Sequence, residues 1–256
     1  MTDSSSDHLP SFDLTGDVVL ITGASRGIGA GLVEALVAAG ATVAVSARDP
    51  DDARAVADAT GAASAHRLDV GDLDSIEAAV AEVIEAHGRL DVLVANAGLG
   101  ANHPATEITE ADWDEMMDTN AKGMFFSMQA AGRAMLAQGS GRIIAISSQA
   151  SVVGIRDHAV YCASKGAVNQ MVRVLALEWG ARGVTVNAVA PTFIRTPGTA
   201  ERLDDPEYLA GVLDRIPLGR VGTIADVAGA VIYLASPAAA MVNGHILTVD
   251  GGWTAQ

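Results

Sequence analysis

The chain has 256 residues, a length that suits one α/β domain better than two. Half of them are hydrophobic and 18% are charged, so a substantial core can form and disorder over the bulk of the chain is excluded. A formal net charge of -15 argues against a nucleic-acid surface and against an anionic membrane face, and its plain role is solubility.

Residues 1–12 are polar and read as a flexible N-terminal segment ahead of a single domain over 13–256. They show no basic stretch followed by an apolar core, so no secretory signal is expected. No apolar run reaches spanning length, because Ser236 and Pro237 break the stretch from Ala230 to Val242. The one cysteine, Cys162, excludes an intrachain disulfide framework and a multi-cysteine zinc site and suits a reducing compartment. The expectation is a soluble, cytoplasmic protein with no membrane partner.

Beyond the first dozen residues, short β-rich runs alternate with alanine-rich segments of helical period. The strand candidates are Val18–Thr22, Thr42–Ser46, Ser64–Leu68, Val92–Ala95, Arg142–Ser147, Thr185–Ala190 and His245–Val249. Helices are predicted between them over 27–39, 50–60, 72–87, 109–137, 159–182, 205–214 and 223–235. Strands this apolar, separated by helices, predict a parallel sheet covered on both faces. The fold class is therefore α/β, a Rossmann-like doubly wound parallel sheet. Ligands of such sheets bind outside the carboxyl ends of the strands, so the residues just after each strand are the candidates.

The first strand runs into Thr22-Gly-Ala-Ser-Arg-Gly-Ile-Gly29. There Gly23 can turn the chain, Gly27 can let backbone approach a ligand, and Gly29 can let the next helix sit close to the strand. A helix starting near Arg26 to Ile28 would aim unpaired N–H groups and a positive dipole end at a pyrophosphate. A plain strand–helix turn is the alternative, since the glycine spacing departs from G-x-G-x-x-G. No Gly-Lys-Ser/Thr ending follows, which counts against a phosphate-loop nucleotide hydrolase. An acid ~20 residues past the glycines would favour NAD. Ala47 holds that place here and Arg48 follows it. Arg48 can pair with a 2′-phosphate and Arg26 can add a second positive charge, so NADP(H) is favoured over NAD(H). In the alternative, Arg48 pairs with Asp49, Asp51 or Asp52, and one of those acids reaches a ribose.

Asn96-Ala97-Gly98 follows the fourth strand and Ser147-Ser148 the fifth. Tyr161 and Lys165 then stand four apart, sharing a helix face with Cβ atoms ~6 Å apart. Alone, that pair is an ordinary surface tyrosine beside a solvated lysine. Together with Asp69-Val70, Asn120-Ala-Lys-Gly-Met-Phe125 and Pro191-Thr-Phe-Ile194, in this order and at these intervals, it resembles the single-domain branch of the short-chain dehydrogenase/reductase family. The likeness covers nearly the whole chain from about residue 12. Thirteen positions separate Ser148 from Tyr161, the usual family interval, which selects Ser148 over Ser147.

The resemblance implies an NAD(P)(H)-dependent oxidoreductase that interconverts a secondary alcohol and a ketone. It makes Tyr161 the general acid or base, with Lys165 and the positive charge of an oxidised nicotinamide together lowering a phenol pKa of ~10, and Lys165 also holding the nicotinamide ribose. Ser148 would hydrogen-bond the substrate oxygen, and Asn120 would anchor a water linking Lys165 to solvent. Asp69 and Val70 would meet the adenine; Asn96, Ala97 and Gly98 would line the cofactor's middle; Pro191, Ile194 and Thr196 would hold the nicotinamide end. With Gly23, Ser25, Arg26, Gly27, Ile28, Gly29 and Arg48, these complete the expected cofactor contacts. Thr192 departs from the glycine common after that proline, which narrows the pocket or adds a hydroxyl.

The remaining signals are plainer. Cys162 reads as a small buried thiol and Trp113, Trp179 and Trp253 as packing residues. No histidine pair has metal spacing, so no metal is expected. The predicted helix over 159–182 is apolar on several sides and needs more than the sheet to cover it, which implies a homo-oligomer; the resemblance makes it a homotetramer. Gln149, Arg156, His158 and Arg195 suit a polyol, sugar or hydroxy acid, whereas Val152, Val153, Phe193 and Leu203 suit a steroid, terpenoid or acyl chain. A polyol or sugar dehydrogenase stands ahead of a 3-oxoacyl or other carbonyl reductase. The alternative of another class, a non-catalytic dinucleotide-sensing regulator, would be expected to lack the tyrosine or the lysine.

Overall fold

The computed structural model describes residues 9–255. Seven strands, β1 (Val18–Ile21), β2 (Thr42–Ala47), β3 (Ser64–Arg67), β4 (Val92–Ala95), β5 (Gly141–Ile146), β6 (Val184–Pro191) and β7 (Ile246–Val249), form one sheet in the order β3-β2-β1-β4-β5-β6-β7. Every pairing is parallel. The order reverses between β1 and β4, which opens a crevice beyond their carboxyl ends. All four residues of β1 and of β4 are buried, as expected of strands covered on both faces.

One core cluster packs Leu93, Ile143, Val168 and Val172 on one face of the sheet, and a second packs Val19, Leu32, Val94 and Val231 on the other. The covering helices are α1 (Gly27–Ala38), α2 (Pro50–Thr60), α3 (Leu73–His87), α4 (Glu110–Met117), α5 (Met124–Gln138), α6 (Ala159–Trp179) and α9 (Ile224–Ala235), with short α7 (Pro197–Leu203) and α8 (Pro206–Leu213) beyond β6. Local chemistry sets their ends. Asp49 and Asp72 cap α2 and α3, and Thr109 and Thr223 form capping boxes on α4 and α9. Gly61, Gly88 and Gly139 close α2, α3 and α5 in the left-handed conformation.

The architecture and all seven strands follow the sequence pattern, with three differences. The helix predicted over 109–137 is α4 and α5 joined by a π-helical stretch, Asp118–Gly123. The helix predicted over 159–182 ends at Trp179 and tightens into a 3₁₀ turn, Gly180–Arg182. Helix α7 is additional; it starts on Pro197 and has no apolar period to announce it. Residues 1–8 of the predicted N-terminal segment lie outside the described residues, while Leu9 and Phe12 are exposed. Among the described residues, no helix is long and apolar enough to cross a membrane.

Candidate active site

The loop after β1 is held by close packing. Gly23 has φ +63°, and a Cβ on it would lie 2.7 Å from the Ala97 Cα. A Cβ on Gly29 would lie 2.5 Å from the Gly23 carbonyl oxygen. Asn96 donates from Nδ2 to the Thr22 and Gly23 carbonyls at 3.0 and 2.9 Å. Thr22 Oγ1 accepts from the Asn96 and Ala97 N–H groups, both at 3.0 Å. The Asn96 amide nitrogen thus stitches β1 to β4, while Asn96 also lines the crevice beyond the strand ends.

Gly27 is different. It has φ +59°, and a Cβ there would meet nothing nearer than the Thr196 side chain at 3.8 Å. Helix α1 starts on Arg26 with no side-chain cap and no acid in its first turn. Gly23, Ser25, Arg26, Gly27 and Ile28 line a crevice of about 1270 Å³. Bare backbone at an uncapped helix start is the donor set that a pyrophosphate requires, so these residues fit a dinucleotide.

Arg48, Asp69 and Val70 line the same crevice, as do Ala97, Gly98, Pro191, Ile194 and Thr196. Ala47, 3% exposed, brings no carboxylate to the end of β2. Asp49 spends its side chain capping α2 through the Asp51 N–H at 2.9 Å. The Arg26 and Arg48 guanidinium groups make no hydrogen bond or ion pair with any described residue. Gly29 lies beneath the loop and Asn120 behind Leu99, and neither lines the crevice.

At the other end, Ser148, Tyr161 and Lys165 come together. Ser148 leaves β5 in extended backbone; its Oγ donates to Gln149 Oε1 at 2.9 Å and accepts from the Ala150 N–H at 3.2 Å. Ser147 instead bonds the buried Asn169 through Oδ1 at 2.8 Å. Lys165, 4% exposed, donates from Nζ to the Ile146 carbonyl at 2.9 Å and lies 5.9 Å from the Tyr161 ring centroid. Asn120, on the π-helical stretch, is fully buried and grips both backbone groups of Leu99 at 2.8 Å. A Cβ on Gly98 would lie 3.1 Å from Asn120 Oδ1, a tight approach, and 3.5 Å from Lys165 Nζ, an ordinary contact, so that glycine gives room to Asn120.

Burial pulls the Lys165 ammonium down from 10.5 to about 8. Burial also pushes the Tyr161 phenol up, against a lowering interaction with the Ser148 hydroxyl and with a smaller raising effect of Cys162. In the chain by itself burial outweighs the lowering interaction at Tyr161, and the expected acidification includes the charge of an oxidised nicotinamide. Dry surroundings penalise the charged form of both groups.

Several other expectations change. Arg195 is spent on Asp204 at 2.7 Å, Leu203 is buried away from the crevice, and Val152 is half-exposed outside it. Cys162 is half-buried with Sγ 4.0 Å from the Val153 carbonyl, and Trp113 is 47% exposed. Sequence reasoning missed the stitching role of Thr22 and the α7 residues Thr199 and Arg202, which line the crevice. The Thr-Gly pair ahead of the loop was the available signal for the first; the second had none.

Residues 23–254 match the profile of a family described as Enoyl-(Acyl carrier protein) reductase. The galactitol 2-dehydrogenase (L-tagatose-forming) of Cereibacter sphaeroides is 41% identical over 252 residues, covering 97% of this chain and 99% of that protein. The chain belongs to the short-chain dehydrogenase/reductase family. D-threitol dehydrogenase of Mycolicibacterium smegmatis is likewise 41% identical over 247 residues, 95% of each chain. A crystal structure of a gluconate 5-dehydrogenase from Burkholderia cenocepacia, in complex with NADP and tartrate, superposes with a TM-score of 0.91 at 36% identity, covering 96% of this chain and 98% of that one. As a member of the family, the protein is an NAD(P)(H)-dependent oxidoreductase acting on CH–OH groups.

Lys165 links the site to stability. The unfolded chain holds this proton to 10.5 and the fold only to about 8, so stability rises with pH between those values and the full penalty applies below about 8. The penalty is on the order of 3 kcal/mol. Lys165→Met is expected to be more stable than the parent in urea unfolding at neutral pH, with the gap narrowing as pH rises from 8 to 10.5. A gap constant across that range would contradict the assignment.

Proposed function

We propose that the protein interconverts a polyhydroxylated secondary alcohol, a polyol, sugar or sugar acid, with its ketone, and that NADP(H) is its preferred cofactor. The convergence of Ser148, Tyr161 and Lys165 on one crevice wall carries this reading. The polar substrate end, where Gln149 and His158 line the crevice, supports the substrate class, as do the names of the relatives. Arg26 and Arg48, without partners among the described residues and with no carboxylate from Ala47 at the end of β2, support the cofactor preference.

The chemistry that a bound nicotinamide would supply is hydride donation or acceptance. Tyr161 gives the proton to the carbonyl oxygen in reduction and receives it in oxidation. Ser148 orients that oxygen; its hydroxyl must turn off Gln149 Oε1 to donate to it. Lys165 has three donors and spends one on Ile146, leaving the others for ribose hydroxyls and its charge for the phenol. Asn120, held on Leu99, fixes the turn against which Lys165 packs.

Val174 and Leu177 on α6 are 50% and 85% exposed, which supports a homo-oligomer, a homotetramer in this reading. A 26.1 kDa species in sedimentation would contradict it.

Turnover of a polyol panel and fluorescence titration of both dinucleotides test the site. Tyr161→Phe is expected to bind cofactor normally and to lose at least a hundredfold in turnover, in line with the ~10²–10⁴ effect of a positioned acid or base. Retained turnover would remove the tyrosine. Arg48→Asp is expected to weaken NADPH about tenfold or more while sparing NADH. An equal effect on both would show that Arg48 does not read the 2′-phosphate.

A further inference from the structure

Beyond Pro191 the chain places Thr192 in the crevice wall, where its N–H still donates to the Val249 carbonyl at 3.1 Å. Its Oγ1 is buried and is the one buried side-chain polar atom among the described residues without a hydrogen-bond partner. Buried hydroxyls are normally satisfied, so an orphan in a ligand crevice points to a partner outside the chain. The residue as a whole is only partly buried. A turn about its Cα–Cβ bond exchanges the positions of the hydroxyl and the methyl, so the oxygen has a second place available on this partly buried residue.

The neighbouring strand end offers a second unused group. Ser147 still bonds the Val189 carbonyl at 2.8 Å, so the ends of β5 and β6 lie side by side. Gln149 follows Ser148 and is 3% exposed; its Oε1 accepts from the Ser148 hydroxyl, a bond that gives way when Ser148 turns to the substrate oxygen, and its Nε2 donates to no described residue. The two groups therefore stand on adjacent strand ends and line the crevice that Ser148 and Tyr161 also line.

We infer that Thr192 is a specificity-determining residue, its hydroxyl bonding a second substrate hydroxyl on the carbon next to the reacting one, with the Gln149 amide donating beside it. This rests on the reading of the site as an alcohol–ketone oxidoreductase and adds to it a preference for vicinal diols. A simple secondary alcohol leaves both groups unpaired, whereas a diol satisfies them.

The test compares 2,3-butanediol with 2-butanol for the full-length protein, Thr192→Val and Thr192→Ser, with cofactor binding followed by fluorescence and stability by thermal unfolding. Valine keeps the shape and removes the hydroxyl; serine keeps the hydroxyl. Thr192→Val is expected to lose about tenfold in kcat/KM on the diol, mainly through KM, and to leave the mono-alcohol and cofactor binding unchanged. Its thermal midpoint should equal or exceed the parent's, because an orphan hydroxyl has been removed. Thr192→Ser should recover the diol preference. Equal losses on both alcohols, weakened cofactor binding, a lowered midpoint or no loss at all would each overturn the inference while leaving the proposed function standing. A parent protein inactive on every alcohol and ketone would overturn both.

Discussion

The Lys165 ammonium is held against the Ile146 carbonyl where almost no water reaches it, and the rest of the site is arranged around that constraint. A buried cation is costly unless its surroundings accept its hydrogens and bring it close to the charge it serves. Three elements meet to do this. The end of β5 provides the acceptor, the π-helical stretch brings Asn120 against the same point, and Gly98 after β4 omits the side chain that would crowd Asn120 Oδ1. Tyr161 shares the lysine's helix and so sits one turn away by geometry alone. The lowered lysine and the raised phenol are two results of the same dryness.

The glycine loop shows a division of labour that composition does not reveal. Gly23 and Gly29 are required by the protein's own packing, one against Ala97 and the other against the Gly23 carbonyl. Gly27 alone of the three has room for a Cβ, in ordinary contact with Thr196, and there the uncapped start of α1 meets the crevice. Sequence reasoning could assign separate tasks to these glycines because strand, turn and helix have fixed geometry. It could not see that the Asn96 amide nitrogen stitches β1 to β4, since that depends on contacts 73 and 74 residues apart.

The same contrast runs through the remainder of the fold. Strands β1 and β4 are legible because burial on both faces leaves unbroken apolar runs. Helix α7 was not, because seven residues opening on proline carry no period. The π-helical stretch was read as ordinary helix, since one extra residue in a turn leaves no mark in composition. The Arg195 side chain looked available until α7 placed Asp204 beside it. Most consequential is Tyr161: spacing sets its distance from Lys165, but burial decides its acidity, and burial belongs to the assembled site. The phenol of the chain by itself is a poor base, so the account requires that the positive charge of an oxidised nicotinamide complete the field that Lys165 begins.

That requirement can be measured without turnover. Ultraviolet difference titration of tyrosinate, taken as the parent minus Tyr161→Phe, isolates this phenol in the protein alone and with oxidised dinucleotide added. The account expects the phenol to titrate above the ordinary value of ~10 in the protein alone and to fall by roughly a pH unit or more on adding the oxidised cofactor. Identical titrations in the two conditions would contradict it.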